Sequence, residues 1–251
     1  MSGKLCLNLS VTFDLPKTKL MRKILPFLLL LTVAASKAQT ADEIINKYLD
    51  AIGGKQKWMN LQTIEQEGVL KANGIDIPLH FYQTHNKGIR QEINVSGLTG
   101  YDISTSTKGW AFMPFNGQTK PEAKSPDEIK RTLDDLDLQG NLIDYKAKGH
   151  TVEFIGNEEV EGTDCYKIKI NRKNSGSQTL YIDPASYLVV RSVTKTNVSG
   201  QEVESTVDFY DYRNVDGLMI PFFYKTPGDN MQLTSVKLNQ PIDENLYQPS
   251  K

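Results

Sequence analysis

Cysteine and histidine are scarce in this chain of 251 residues, which holds two cysteines and three histidines. Cys6 lies close to the N-terminus and Cys165 lies in the second half of the chain. We therefore expect no internal disulfide in the mature protein, so the hydrophobic core must stabilise the fold. His80, His85 and His150 lack the His-x-x-x-His spacing of a zinc helix, and the sequence predicts no metal site.

The motifs of the common enzyme classes are also missing. No Gly-x-Ser-x-Gly, phosphate-binding loop or dinucleotide-binding fingerprint occurs. Residues 135–140 imitate the opening of a calcium loop, but its twelfth position is Lys146, whose positive charge would oppose the ion. Cys165 has no histidine close to it in the sequence, which is typical of a small buried residue rather than a nucleophile. We predict a protein that is not an enzyme and needs no cofactor.

A basic surface is absent as well. The chain carries 29 Lys and Arg residues against 30 Asp and Glu residues. Residues 1–38 contain six of the basic residues but only one acidic residue, Asp14. The rest of the chain is therefore net acidic, which argues against a nucleic-acid partner because such partners bind basic patches.

The N-terminal segment has the pattern of a secretory signal peptide. A positive start over 21–23 precedes an apolar run over 24–35, and Ser-Lys-Ala over 36–38 resembles a cleavage site. The apolar run is too short to cross a bilayer core of about 30 Å as a helix. The pattern predicts a signal peptide over 21–38 and export from the cytoplasm.

Cleavage is expected between Ala38 and Gln39. Because the residue after the cut is not cysteine, we expect no lipid anchor at the mature N-terminus. Met21 is the better start for a signal peptide, which makes residues 1–20 a doubtful N-terminal extension. The mature chain over 39–251 is long enough for one domain with a sizeable core.

One amphipathic helix opens the mature chain. Thr40 and Glu43 have the spacing of a capping box, and apolar residues follow at helical intervals up to the Gly-Gly pair at 53–54. These signals predict a helix over 41–52 with one apolar face that docks on the rest of the domain.

A second helix is predicted over 126–138. Ser125 is a good N-cap and Pro126 a good first residue, and acidic residues follow in the first turn. The apolar residues that fall on one face of this helix are Ile129, Leu133 and Leu136. Residues 142–145 are expected to add another short helix.

Short segments with alternating apolar and polar residues make up most of the remaining chain. Val203, Val207 and Phe209, for example, share one face of a strand. Five strands are expected before the second helix, over 63–71, 75–84, 88–95, 101–106 and 109–115. After His150 the strands resume, with glycine-containing corners that include Gly156 and Gly162. The predicted fold class is mainly β with helices (α+β), a single curved antiparallel sheet or unclosed β-barrel of about eleven strands with a helical plug or lid.

Several motifs carry a family resemblance: Gly109-Trp110 before a proline, 156–162 followed by Tyr166-Lys167-Ile168, 180–184 followed by 188–191, and 211–213 with Gly217 and Pro221. In this order, with an N-terminal amphipathic helix and a helical insertion, the chain resembles the outer-membrane lipoprotein-sorting proteins of the LolA/LolB type. It is most similar to the versions found in Bacteroidetes. The resemblance covers nearly the whole mature chain.

The resemblance implies a single half-barrel domain over 39–251 whose apolar cavity receives the acyl chains of lipoproteins. It implies a monomeric periplasmic carrier that moves lipoproteins or another lipid toward the outer membrane. The implied partners are an inner-membrane release complex and an outer-membrane acceptor. Carriers of this type use an arginine on a strand to hold the lid by hydrogen bonds, and Arg90 is the candidate here.

Moving an acyl chain through water is opposed by about 0.8 kcal/mol per CH₂, so a carrier must offer a dry pocket. The residues expected to line it are Ile77, Leu79, Phe81, Ile89, Ile93, Trp110 and Phe112 from the first strands, closed by Ile129, Leu133 and Leu136 from the second helix. For each of them an ordinary core position is the competing interpretation. The competing function is a non-catalytic module, for example in envelope sensing, that binds a partner's peptide on the concave sheet or its edge.

Overall fold

The structure, a computed structural model, describes residues 40–72, 74–198 and 200–250. Contacts between Cα atoms divide the chain into Met1–Gln39 and Thr40–Lys251, and the fold described below belongs to the second unit. In the described part of the chain, no helix is both long and apolar enough to cross a membrane.

The predictions for the N-terminal segment fall on residues that the structure does not describe. They are the extension over 1–20, the signal peptide over 21–38, and the cleavage residues Ala38 and Gln39. These stay predictions.

The first helix, α1, spans Ala41–Ala51, one residue less than predicted. The hydroxyl of Thr40 accepts a hydrogen bond from the Glu43 amide at 3.2 Å, and the Thr40 amide donates to the Glu43 carboxylate at 3.0 Å. The capping box is therefore confirmed. The apolar face of α1 is buried through Ile44, Ile45 and Leu49. A short helix, α2, follows at Lys55–Met59.

Within the described residues, thirteen strands form one antiparallel sheet. Their bounds are β1 Thr63–Ala72, β2 Ile75–Thr84, β3 Gly88–Val95, β4 Leu98–Thr105, β5 Gly109–Phe112, β6 Glu122–Ala123, β7 Thr151–Val160, β8 Thr163–Asn171, β9 Ser177–Ile182, β10 Val189–Val198, β11 Gln201–Val215, β12 Leu218–Lys225 and β13 Asp229–Leu238. In space the order is β6-β5-β4-β3-β2-β1-β13-β12-β11-β10-β9-β8-β7. The predicted single unclosed sheet is confirmed, since β6 and β7 are its two edges.

The strand prediction differs from the structure in several details. The described residues form thirteen strands instead of about eleven, β4 begins three residues earlier than predicted, and β5 ends three residues earlier. The short strand β6 was not among the predicted strands. Gly156 does not form a corner but lies inside β7 with φ of +104°. The register of β7 against β8 shifts there, between Phe154 and Asn157. Gly156 therefore allows a β-bulge, in which the extra residue needs an unusual backbone conformation.

Residues 124–150 connect the two edge strands of the sheet. This connection contains a third helix, α3, at Pro126–Thr132 and a 3-10 turn at Asp134–Leu136. The predicted helix therefore begins at Pro126 with its N-cap at Ser125, as expected, but its predicted end at 138 is wrong because it ends at Thr132. The helix predicted over 142–145 is also wrong, because those residues form turns.

Hydrophobic residues form separate cores on the two faces of the sheet. One core packs α1 against β8 and β9, and its fully buried residues include Ile44, Ile168 and Ile170. On the opposite face, Tyr101 and Ile103 pack with Tyr247 from a 3-10 turn at Glu244–Tyr247. The C-terminal segment therefore covers part of one face, and α1 covers part of the other.

Candidate functional site

The register of the strands defines the sheet face that α1 covers. Ile168 lies opposite Leu180, Leu180 opposite Ser192, and Ser192 opposite Val207. Directly opposed residues of an antiparallel sheet share a face, so this row lies on one side. Because α1 packs against Ile168 and Leu180, we call this side the inner face and the other side the outer face.

A pocket of about 240 Å³ lies on the inner face beneath α1. We call it the helix pocket. Its lining combines α1, α2, the connection between the edge strands and the four strands β9 to β12: Tyr48, Leu49, Ile52, Trp58, Gln139, Gly140, Asn141, Leu142, Ile143, Gln178, Leu180, Val189, Phe209, Tyr212, Met219 and Pro221. None of these residues is charged, so the pocket offers dispersion contacts and neutral hydrogen-bonding groups.

Several polar groups of the helix pocket are hydrogen-bonded. Asn141 Nδ2 donates to Gln178 Oε1 at 2.9 Å, and Gln178 Nε2 donates to the buried Ser192 Oγ at 3.0 Å. The hydroxyl of Tyr212 donates to the Val189 carbonyl at 2.8 Å. Burial raises the pKa of Tyr48 to about 12, so this hydroxyl stays protonated at neutral pH and is available as a donor.

A second pocket, of about 230 Å³, lies further along the inner face. We call it the strand pocket. It is lined by Leu70, Leu79, Phe81, Gln91, Val207, Tyr224, Thr226, Asp229 and Met231, and its exposed wall is almost wholly apolar. Leu79 on β2 and Val207 on β11 line the same pocket, although three strands separate β2 from β11 in the sheet. The sheet therefore brings distant strands together around this space.

Leu79 and Phe81, two residues predicted to line a cavity, line the strand pocket. Ile77, Ile89 and Ile93 share the inner face with them, because Leu79 lies opposite Ile93 and the three residues keep the alternation of β2 and β3. The structure thus places these five residues on one face.

Trp110 and Phe112 are placed elsewhere. Trp110 lies opposite Ile103, and Phe112 lies opposite Tyr101 with ring centroids 5.6 Å apart. Both pack in the outer-face core with Tyr247. They do not meet the inner-face residues, because the strand register places them on the outer face, where the C-terminal segment covers β4 and β5.

The predicted lid residues are also separated from the two pockets. Ile129 and Leu133 are half-buried, whereas Leu136 is buried at 2% exposure. Helix α3 contains no buried residue, so it buries little surface against the rest of the domain. Because α3 ends at Thr132, Ile129, Leu133 and Leu136 do not lie on one face of a continuous helix.

Residues 134–136, which we call the clamp, join two distant hairpins. The carboxylate of Asp134 accepts hydrogen bonds from the Asn174 amide at 3.0 Å and from the Ser175 hydroxyl at 2.6 Å. On the other side, Gln83 Nε2 donates to the Asp135 carbonyl at 2.9 Å, and the Asn86 amide donates to the Leu136 carbonyl at 2.8 Å. The clamp thus ties the β2–β3 turn to the β8–β9 turn.

Arg90 lies on the outer face and binds the C-terminal segment instead of the predicted lid. Its Nη1 donates to the Leu246 carbonyl at 3.0 Å, and its guanidinium lies 4.4 Å from the centre of the Tyr101 ring. Its Nε donates to Glu92 at 2.6 Å. Arg90 is 4% exposed, so it fixes the C-terminal segment on the sheet.

A carboxylate and histidine cluster lies on the outer face of β1 and β2. The ligand atoms of Glu65, Glu67 and His80 lie within 4.8 Å of one another. Lys237 Nζ lies 3.2 Å from the Glu65 carboxylate. Burial alone would raise the pKa of Glu65, but hydrogen bonds from His80 and Lys237 outweigh this effect and lower it. The ammonium of Lys237 already balances this cluster, which is therefore an ion-pair network on the surface.

Several pocket residues were missed by the sequence prediction. Tyr48 on α1, Phe209 on β11 and Tyr224 on β12 line the two pockets together with Leu70 and Met231. The alternation that pairs Val207 with Phe209 was a usable signal. No local pattern shows that these strands face β2.

The geometry defines a class of protein, namely an unclosed antiparallel half-barrel with helices and small apolar pockets on its inner face. Solved structures with a similar fold include proteins of the LolA superfamily. A LolA superfamily protein from Nitrosomonas europaea aligns with a TM-score of 0.54 and 15% identity over 83% of this chain and 98% of that chain.

Two further solved structures have similar folds. A DUF1329 family protein from Desulfovibrio piger aligns with a TM-score of 0.52 and 14% identity over 80% of this chain and 95% of that chain. An outer membrane lipoprotein-sorting protein domain from Vibrio parahaemolyticus aligns with a TM-score of 0.50 and 14% identity, over 82% and 95% respectively. No family model matches the sequence, and no curated protein matches it. The expected fold is confirmed, and the similarity to versions from Bacteroidetes stays a prediction.

Proposed function

We propose that this protein is a periplasmic carrier without enzymatic activity, which binds the acyl chains of lipoproteins or of another lipid for transfer toward the outer membrane. The strand pocket carries the proposal, because its wall is almost wholly apolar and contains the predicted residues Leu79 and Phe81. The lipoprotein-sorting domain with a similar fold supports the same class of ligand. The monomeric state and the membrane partners named above belong to this proposal.

Acyl chains fit the physical character of the site. Removing an acyl chain from water is favourable by about 0.8 kcal/mol per CH₂, so aliphatic walls alone supply useful affinity. Cys165 lies on the outer face in a core with Val160 and Tyr181, where burial raises the pKa of its thiol and keeps it protonated. Binding therefore suits the inner face better than catalysis.

Titration of the mature protein with a fluorescent fatty-acyl probe tests the proposal. We expect saturable binding that Leu79→Asp abolishes, because a carboxylate in the strand pocket would be desolvated without a partner. Ile75→Asp is the matched control, since Ile75 lies on the same face of β2 but is 60% exposed. It should leave binding unchanged.

A second variant covers the case in which Leu79→Asp unfolds the protein. Val207→Phe should occupy part of the strand pocket from the opposite wall and weaken probe binding while preserving the circular dichroism spectrum. Failure of the wild-type protein to bind any acyl probe, or full binding by folded Leu79→Asp and Val207→Phe, would refute the proposal.

The edge strand β7 favours the competing function of a peptide-binding module. It pairs only with β8 among the described strands, so its other edge has unpaired backbone groups that could accept a partner's strand. The bulge at Gly156 interrupts this edge, however, and bulges at edges oppose strand addition. We therefore favour the pocket over the edge.

A further inference from the structure

The helix pocket and the strand pocket adjoin at one pair of aromatic rings. Phe209 on β11 lines the helix pocket, and its cross-strand partner Tyr224 on β12 lines the strand pocket. Their ring centroids are 5.7 Å apart and their planes meet at 72°, which is an edge-to-face contact. These two rings are therefore the partition between the pockets.

Neither pocket is large enough alone for an extended ligand. Their volumes are about 240 and 230 Å³, whereas pockets that bury small ligands occupy roughly 300–1,000 Å³. The helix pocket and the strand pocket reach that range when their volumes are joined. A chain that fills both must therefore displace the partition formed by Phe209 and Tyr224.

The two pockets differ in polarity. The helix pocket contains the protonated hydroxyl of Tyr48, which makes no hydrogen bond to another residue in the described ranges, and the amide of Asn141. It contains no lysine or arginine that could neutralise a carboxylate. Beyond the partition, Leu70, Leu79 and Met231 provide aliphatic walls. A neutral carbonyl therefore suits the helix pocket, and a hydrocarbon tail suits the strand pocket.

We propose that the ligand is a single linear acyl chain with an ester or amide head. Its carbonyl lies in the helix pocket near Tyr48, its tail passes between Phe209 and Tyr224 into the strand pocket, and these two rings limit the chain length that binds well. This inference rests on the proposed carrier function and adds the class, direction and length of the ligand. A free fatty acid binds less well, because its ionised carboxylate would lose water without gaining a cation.

Competition against the fluorescent acyl probe with octanoyl, dodecanoyl and hexadecanoyl methyl esters tests the length limit. Phe209→Ala should bind the hexadecanoyl ester about tenfold more tightly than the wild-type protein, with little change for the octanoyl ester. Two further buried methylenes suffice for a change of this size. Tyr224→Ala removes the other ring of the partition and should give the same length-dependent gain.

Phe223→Ala is the matched control. Phe223 precedes Tyr224 and contacts Tyr210 with ring centroids 5.8 Å apart, on the opposite side of the same two strands. It should bind all three esters as the wild-type protein does. Equal length dependence in the wild type, in folded Phe209→Ala and in folded Tyr224→Ala would overturn the inference.

The head group is tested with the same assay. The hexadecanoyl ester should compete about tenfold better than the free acid at pH 8, and Tyr48→Phe should weaken ester binding by up to about tenfold, the value of one hydrogen bond. Tighter binding of the free acid would also overturn the inference. Absence of binding by every ester and by the probe would instead refute the carrier function itself.

Discussion

The carboxylate of Asp134 accepts a hydrogen bond of 2.6 Å from the hydroxyl of Ser175, which lies 41 residues further along the chain. The bond fixes the clamp to the β8–β9 turn, while the Asn86 amide fixes it to the β2–β3 turn. The connection between the edge strands is therefore fixed at the clamp. Helix α3, which precedes the clamp, contains no buried residue. A lid movement of the whole stretch 126–138 would require breaking these bonds.

Asp134→Asn should destabilise the protein at neutral pH by about 2 kcal/mol, because charge-assisted hydrogen bonds are replaced by weaker ones. Burial alone would raise the pKa of Asp134, but hydrogen bonds from Ser175 and Asn174 lower it below the ordinary value of 3.8. Because folding lowers this pKa, the ionised carboxylate of Asp134 stabilises the folded protein above pH 3.8. This stability is lost as the pH falls through the folded-state pKa. Urea unfolding should therefore show a gap between the two proteins that narrows below about pH 3.8.

The control for this prediction is Asp127→Asn, which removes the same charge from an exposed position of α3. We expect it to change the free energy of unfolding by less than about 0.5 kcal/mol. A gap between wild type and Asp134→Asn that stays constant down to acidic pH would show that the carboxylate of Asp134 is not the stabilising group.

Two leucines at the clamp are expected to differ in their contribution to stability. Leu133 directly precedes the clamp, and Leu136 is its last residue. Leu136 is 2% exposed, so its truncation should reduce the free energy of unfolding by about 2–5 kcal/mol. Leu133 is half-buried, so its truncation should reduce the free energy of unfolding by clearly less. Chemical denaturation of both variants checks this order, and a larger loss for Leu133→Ala would mean that α3 is packed as a structural plug.

Arg90→Ala should release the C-terminal segment without changing lipid binding. It removes the hydrogen bond to the Leu246 carbonyl and leaves Glu92 without its ion-pair partner, at a cost of about 1–3 kcal/mol. Hydrogen exchange should accelerate at residues 244–250, whereas the affinity for the acyl probe should stay at the wild-type value. Weaker probe binding with unchanged exchange over 244–250 would instead support a role for Arg90 at the lid.

The predicted cleavage of the signal peptide gives the exported protein a defined N-terminus. When the full chain is expressed in a bacterium with a periplasm, the recovered protein should begin at Gln39 or within a residue or two of it. Ala38→Arg should block cleavage, because the site needs a small residue there, and should cause the precursor to accumulate. An intact Met1 in the cytosolic fraction of wild-type cells would contradict the prediction.

The sequence by itself determined the elements whose signals are local. The capping box at Thr40 and the apolar spacing behind it predicted α1 nearly to the residue, since both act within a few residues of the chain. Alternation likewise predicted the hairpin strands and placed Leu79 and Phe81 on a common face. The end of α3 at Thr132 was not predictable in this way, because the partners of Asp134 lie in another hairpin.

Only the tertiary structure decided which faces became sites. Alternation shows that two side chains share a face, but it does not show what covers that face. Trp110 and Phe112 look as apolar as Leu79, yet the C-terminal segment covers them in a core of their own. The strand pocket joins Leu79 to Val207 from strands far apart in sequence, and contacts of that kind arise from the curl of the whole sheet rather than from any local pattern.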